Sequence, residues 1–353
     1  MRAAVYHGPK HVEVEEVPDP RIEEPTDVIV KTRAASMCGS DLYLYQGEVP
    51  DMVTPGHTTL GHEIAAEVVE MGADVRRFSV GDRVTFPYSV SCGSCFFCRH
   101  GQTAHCATSQ KAIYGYGVAF GDLGGSQAEY VRVPLADGHL EKIPESISDD
   151  QAVFLSCNLP AAVIAVDAAD LSPEDRVAIV GAGPTGLLAL QLATRVAEKP
   201  PIVLDRVGYR LERARELGGD PMNIDEGDVV ARVQEATDGL GVDKVIEFAG
   251  RGDAFTLATQ ILRPGGTLAG GGVYLEQDHP VSLFTLYFNN LQLSLNGFAN
   301  AHTAMAEAAQ LVEDGVIDPT SVISHRVGLE DVPAAARSFS EREDGFFKML
   351  IRP

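Results

Sequence analysis

The chain has 353 residues, 45% of them hydrophobic and 22% charged, which is too long for one small core and fits two domains of ordinary size. Against 28 Lys and Arg stand 50 Asp and Glu, for a formal net charge of −22; such a surface repels a polyanion and argues against DNA or RNA as a partner, while fitting a soluble and even a salt-adapted protein. No apolar run resembles an export signal or a membrane span, so the chain is expected to be cytoplasmic with no membrane partner, and its six cysteines to serve metal binding or catalysis rather than disulfides.

Residues 1–158 read as short β segments between glycine and proline turns, at 28–33, 63–70, 83–87 and 128–134. Such an irregular β-rich domain displays polar side chains on its loops. Cys38 follows the first of these segments in Met37-Cys38-Gly39-Ser40-Asp41, and Gly61-His62-Glu63 opens the second. Cys157 lies in Ser156-Cys157-Asn158 at the end of the domain. Two thiols and an imidazole make a three-ligand zinc site with a fourth position free for a water or an alcohol oxygen. Zinc lowers the pKa of such an oxygen, so that the carbon bearing it can release hydride near neutral pH. Each residue alone is as well explained by the core of a soluble domain.

Between these ligands, Cys92, Cys95, Cys98 and Cys106 are separated by two, two and seven residues. That spacing suits one tetrahedral Zn²⁺ with no open position, hence a structural site. An iron–sulfur cluster is the rival reading.

From residue 159 strands alternate with helices. A strand at 176–180 leads through Gly181-Ala182-Gly183-Pro184-Thr185-Gly186 into a helix at 184–197, then a strand at 202–204, a helix at 209–217 ended by Gly218 and Gly219, and strands at 244–248 and 266–270. This order predicts a parallel doubly wound sheet. The glycines permit a tight turn, close approach to a pyrophosphate and helix–strand packing, and the helix N-terminus offers free N–H groups to phosphates. Asp205, 19 residues past Gly186, can accept hydrogen bonds from ribose hydroxyls and would repel the extra phosphate of NADP, which favours NAD; Arg206 beside it keeps NADP as the alternative. A helix at 301–314 and a strand at 346–351 complete the chain, and the apolar residues at 270–295 read as strand formers able to pair with another subunit.

Together these motifs resemble the zinc-containing medium-chain dehydrogenase/reductase family, alcohol dehydrogenase type, over essentially the whole chain. The stretches 123–131 and 155–160 are most similar to its glutathione-independent formaldehyde dehydrogenase branch. The resemblance implies an α/β protein with a GroES-like β-rich catalytic domain (1–158, rejoined by 299–353), a Rossmann domain (159–298) and an active-site cleft between them. It also implies two zinc ions per chain, NAD, a small alcohol or carbonyl substrate, and a homodimer or homotetramer. Cys38, His62 and Cys157 would hold the catalytic zinc, with Glu63 as an intermittent or replacement ligand, and the other four cysteines the structural zinc. Ser40 would take the alcohol proton and Asp41 would orient His62. Gly181, Gly183, Pro184, Thr185, Gly186, Asp205, Arg206, Arg210 and Val273 would bind the cofactor.

Two departures stand out. Many relatives end the proton relay in a histidine, where this chain has Tyr43 and Tyr45, and the formaldehyde branch often has a carboxylate in place of Cys157. The expected reaction is zinc-dependent hydride transfer between an alcohol, polyol or sugar and NAD. The alternatives are NAD(P)H-dependent reduction of a conjugated C=C bond, and a non-catalytic binding protein on the same fold.

Overall fold

The computed structural model describes every residue except Asp344, and the chain divides into two compact units, one formed by Met1–Pro160 with Asn300–Pro353 and the other by Ala161–Ala299. The first unit begins with the hairpin β1 (Arg2–Gly8) and β2 (His11–Glu16), a pair not among the segments expected from the sequence. It continues with β3 (Val28–Ser36), the short helix α1 (Asp41–Gln46), β4 (Glu63–Met71) and β5 (Arg83–Thr85). Then come α2 (Phe96–Arg99), β6 (Tyr130–Val133), β7 (Glu141–Lys142) and α3 (Asp149–Ala152), and α4 (Asn158–Ala169) leads out of this unit, its residues from Ala161 onward belonging to the second. Helix α3 starts in a capping box in which Ser148 and Gln151 satisfy each other's backbone N–H groups.

The second unit alternates as predicted: β8 (Val177–Val180), α5 (Pro184–Ala193), β9 (Ile202–Asp205), α6 (Gly208–Glu216), β10 (Asp220–Asn223), α7 (Val229–Ala236), β11 (Val242–Glu247), α8 (Gly252–Ile261) and β12 (Leu262–Gly270). The helix read as 184–197 stops at Ala193, where Thr194 turns its hydroxyl back onto the Gln191 carbonyl. The apolar stretch read as strand formers splits into a helix, α9 (Leu283–Phe288), and a strand, β13 (Gln292–Leu295); Ser282 caps the helix by accepting the Thr285 N–H at 3.1 Å. The chain then re-enters the first unit through α10 (Ala301–Glu313), β14 (His325–Gly328), α11 (Val332–Glu341) and β15 (Met349–Arg352).

Among the described residues the strands form three sheets. The second unit holds a parallel sheet in the order β10-β9-β8-β11-β12-β13, whose direction of winding reverses between β8 and β11. The central strands β8 and β9 read as short apolar runs and are buried along their whole length, as strands covered on both faces are, and Ile179, Val203, Ile246 and Leu268 are wholly buried. In the first unit a mixed sheet runs β14-β15-β3-β4-β5-β7, with β6 on β3. One side of it closes on Phe86, Tyr114 and Leu140, the other on Met37, Leu44 and Phe339. Each fully buried side chain of this size contributes about 1.5–3 kcal/mol of transfer free energy. No single helix among the described residues is long and apolar enough to cross a membrane.

Candidate active site

Sheet register brings the first cluster together. In the β3–β4 ladder Ser36 lies opposite Glu63, so Cys38, two residues past the β3 position, arrives beside His62 and Glu63 at the start of β4. Cys157 ends a 3-10 turn whose Ser156 hydroxyl accepts the Ile64 N–H at 3.0 Å and so pins that turn to the same strand. One ligand atom from each of Cys38, His62, Glu63 and Cys157 lies within 4.8 Å of the others. The two sulfurs are 4.0 Å apart and both thiols are free.

Asp41 organises this corner. Its Oδ2 accepts the Cys38 N–H at 2.8 Å and its Oδ1 pairs with His62 Nδ1 at 3.0 Å, with both side chains sealed from solvent. With Nδ1 facing the Asp41 carboxylate as an ion pair rather than a well-aligned hydrogen bond, Nε2 is the nitrogen left for a metal, and the carboxylate orients the ring. The Cys38 thiol is pulled well below its ordinary range by the hydrogen bond from Cys157, with His62 adding to the effect. Cys157 is correspondingly pushed up by its bond to Cys38 and by burial. Burial would lower His62, but the Asp41 carboxylate outweighs it and the imidazole is held well above its usual value. A thiolate beside an oriented imidazole and a second thiol is a donor set that fits zinc with an open position.

Lys348, which no motif marks, joins the site from near the C-terminal end of the chain. Its Nζ, on the approach to β15, donates to Glu63 Oε1 at 2.8 Å, to Glu63 Oε2 at 2.6 Å and to the Met37 carbonyl at 3.1 Å, so all three of its protons are used inside the core. Burial pushes Glu63 up to about 7, and the Lys348 ammonium opposes that rise. The signal was present in the sequence: a lysine within the apolar run Phe346–Ile351 needs a buried carboxylate.

Tyr88 and Tyr116 were also not identified. Their rings stand edge-on to His62 with centroids 6.1 and 5.7 Å away. Ser40, half-buried at the start of α1, is hydrogen-bonded to the Tyr116 hydroxyl. Burial holds that phenol well above its ordinary range. Of the two tyrosines at the usual histidine position, Tyr45 is turned into the core beside Leu44 and Tyr43 is half-buried.

The second cluster is Cys92, Cys95, Cys98 and Cys106, again with ligand atoms within 4.8 Å. The Cys95 sulfur lies 3.5 Å from Cys98 and 4.0 Å from Cys106. These separations bracket the ~3.8 Å edge of a tetrahedron with zinc–sulfur bonds of ~2.3 Å. Backbone N–H groups of Cys92, Cys95 and Ser109 and the Thr108 hydroxyl point at the sulfurs. Although burial opposes it, the Thr108 and Ser94 hydroxyls and the backbone N–H groups of Ser94 and Cys95 bring Cys92 down to about 5, while burial and its sulfur neighbours push Cys98 up to about 12. Four sulfurs this close cannot all ionise without a cation among them.

In the second unit, β8 runs into a turn where Gly181 has φ +95° and a Cβ on Gly186 would sit 1.9 Å from the Gly181 carbonyl oxygen, so neither position accepts a side chain. Gly183 faces open space and caps α5, with Pro184 and Thr185 in the helix's first turn. This is where a pyrophosphate can approach free N–H groups, at the strand ends where the winding reverses. Asp205, at the end of β9, accepts the Ala182 N–H at 2.7 Å and those of Arg206 and Val207 at 2.7 and 2.9 Å, which ties it to the glycine turn. Arg206 is 3.9 Å from Asp225 across an exposed surface. The Arg210 Nε is buried without a hydrogen-bond partner. Val273, beyond the end of β12, packs its backbone against Gly250. The turn, its helix and an anchored acid at the second strand fit a nicotinamide dinucleotide.

Residues 24–145 match the family model "Alcohol dehydrogenase GroES-like domain", and residues 184–314 match "Zinc-binding dehydrogenase". Zinc-type alcohol dehydrogenase B of Aspergillus flavus is 38% identical over 84% of this chain and 68% of its own length. An uncharacterized zinc-type alcohol dehydrogenase-like protein of Bacillus subtilis is 32% identical over the full length of both. The solved alcohol dehydrogenase TADH from Thermus sp. ATN1 superposes with a TM-score of 0.92 at 35% identity, covering 100% of this chain and 99% of that one. The chain therefore belongs to the zinc-containing medium-chain dehydrogenase/reductase family, and it is an oxidoreductase of the alcohol dehydrogenase type with a GroES-like domain, a Rossmann-like parallel sheet, and sites that fit zinc and a nicotinamide cofactor.

Proposed function

We propose that the protein transfers a hydride between a small alcohol and NAD, interconverting alcohol and aldehyde or ketone. The observation that carries this reading is the buried Cys38–His62–Cys157 cluster with the Ser40 hydroxyl beside it. Cys38, His62 and Cys157 would hold a catalytic zinc, and Lys348 keeps Glu63 occupied as an ion-pair partner. The four cysteines at 92–106 would hold a structural zinc, for two per chain. When bound, zinc supplies Lewis acidity toward the substrate oxygen and the nicotinamide supplies the hydride acceptor. Ser40 is the group that receives the alcohol proton, and Tyr116, too weakly acidic to ionise at neutral pH, holds the serine hydroxyl in place. Asp205 presents its remaining lone pairs to a ribose diol and disfavours a 2′-phosphate, which supports NAD over NADP.

Self-association is part of the same proposal. Strand β13 is an edge of the parallel sheet with Leu293 and Leu295 exposed, and α9 beside it in sequence exposes Leu283, Phe284, Tyr287 and Phe288. An uncovered edge with apolar side chains is suited to pairing with a second copy; sedimentation of wild type against Leu295→Lys tests this, and a wild-type monomer refutes it.

A panel of alcohols scored by NADH fluorescence, with NAD and NADP in parallel, tests the activity. Turnover with NAD and little with NADP is the expected result. No turnover with any alcohol, or saturated product from an enal with NADH, overturns the reading in favour of a binding protein or a C=C reductase.

A further inference from the structure

The hairpin β1–β2 carries a group of side chains that the alcohol chemistry does not use. In His11–Glu16 the residues alternate, so that Val12 is buried while His11, Glu13 and Glu15 stand on the other face. The ladder shifts between Tyr6 and Gly8, leaving His7 as the bulged residue. A bulge re-aims its side chain. Here the His7 Nε2 lies 3.4 Å from Glu15 Oε1, and one ligand atom from each of His7, Glu13 and Glu15 lies within 4.8 Å of the other two. His11 backs the group: its Nε2 pairs with Glu13 Oε1 at 2.7 Å, and its ring centroid is 5.5 Å from that of His7.

Although the His7 side chain is 27% exposed, its Nε2 atom is closed off from water, and its 3.4 Å approach to Glu15 lacks the alignment of a hydrogen bond. An imidazole nitrogen in that condition, facing two carboxylates that repel each other, calls for a cation between the three. We infer that His7, Glu13 and Glu15 form a third metal site, on the surface of the first unit, for a borderline divalent transition ion such as Zn²⁺, Co²⁺ or Ni²⁺. One nitrogen and two carboxylate oxygens suit such ions better than Mg²⁺, which prefers an all-oxygen shell. Solvent fills the remaining positions, His11 orients Glu13 as an outer partner, and the net charge of −22 concentrates cations near the surface.

Equilibrium dialysis of the full-length protein against rising free Zn²⁺, with zinc per chain measured by plasma mass spectrometry, tests the site. The readout is the difference between wild type and variants, so it is independent of how many ions the cysteines hold and of whether the protein turns over alcohol. Wild type is expected to take up one more equivalent than His7→Ala or Glu15→Gln. His11→Ala should retain that equivalent with affinity reduced about tenfold or more. His57→Ala, which alters an exposed histidine paired with Asp122, should bind like wild type, and excess Mg²⁺ should not displace the ion. Equal uptake by wild type, His7→Ala and Glu15→Gln overturns the inference, as does displacement by Mg²⁺, which would mark a nonspecific acidic patch. Thermal melts of each variant without metal confirm that the hairpin is folded, and Glu13→Gln replaces any variant that is not.

Discussion

The lobe at 92–106 gathers four thiols from 15 consecutive residues, three of them half-exposed, and surrounds them with backbone N–H groups and hydroxyls. The Cys38 cluster draws on β3, β4, the turn before α4 and the approach to β15, and it is buried with a carboxylate–imidazole pair on one side and an ammonium–carboxylate pair on the other. The first can form from local chain alone. The second exists only when distant strands are in register, and it concentrates charge where an unmatched charge is costly. A local metal site can be spent on holding a fold, whereas a site built by the fold gains a dry, oriented environment for chemistry.

Breaking one ligand in each cluster gives the largest contrast. Cys38→Ala is expected to lower turnover about a thousandfold or more, equivalent to about 4 kcal/mol of transition-state stabilisation, while the protein melts near the wild-type temperature. Cys95→Ser is expected to lose one zinc and melt early while retaining turnover at low temperature. NADH production, zinc content and melting curves of the two variants decide it; matching profiles would erase the distinction.

Next in size is the ion pair. Lys348→Met leaves the Glu63 carboxylate buried without a partner and should cost about 3–5 kcal/mol, most of it recovered when Glu63→Gln is added. Denaturant midpoints of the single and double variants measure this. A single variant as stable as wild type would mean that Glu63 finds its compensation elsewhere.

Acid sensitivity separates the regions on a smaller scale. Burial, with His302 nearby, drives His139 down to about 3, and its Nε2 meets the Tyr114 hydroxyl at 2.9 Å behind the cysteine lobe. The unfolded chain, with an ordinary histidine near ~6.5, binds that proton first as pH falls, so the stabilisation is present above ~6.5 and is lost progressively toward 3. Between pH 7 and pH 5 this amounts to about 2 kcal/mol. His139→Gln, which keeps an acceptor for Tyr114, should lose that much less than wild type over the same interval in urea titrations; parallel losses would refute the assignment.

The smallest effect tests how local the support for Cys157 is. Ser148→Ala removes the capping box of α3, just before the turn that carries Cys157, and should cost about 1 kcal/mol. If turnover also falls at a temperature where the variant is folded, the cap positions the ligand as well as the helix.

What the sequence made readable follows the same division. The cysteine spacing at 92–106 and the Gly181–Gly186 turn are short-range patterns in which sequence neighbours are spatial neighbours. Lys348 and Glu63 are 285 positions apart, and only the register of β15 on β3 and β3 on β4 joins them. The Tyr116 contact with Ser40 depends likewise on a loop path that no periodicity encodes. Helix α9 lies within a stretch whose apolar residues resemble strand formers, and only Ser282 and Thr285 carry the signal of a helix cap. The β1–β2 hairpin was passed over because its turn, Gly8-Pro9-Lys10, places Lys10 rather than a glycine in the left-handed region, at φ 60°.

The buried lysine also sets an order of assembly. The second unit is continuous in sequence and is finished once Ala299 has been made, but Glu63 has no counter-charge until Lys348 is made 49 residues later. At about 5–20 residues per second that is a delay of roughly 2–10 s. During that interval the nascent chain can hold a completed second unit and a closed cysteine lobe while Glu63 still lacks the ammonium that lets it be buried. The corner that holds Cys38 and Glu63 therefore gains its counter-charge only after the second unit has been made.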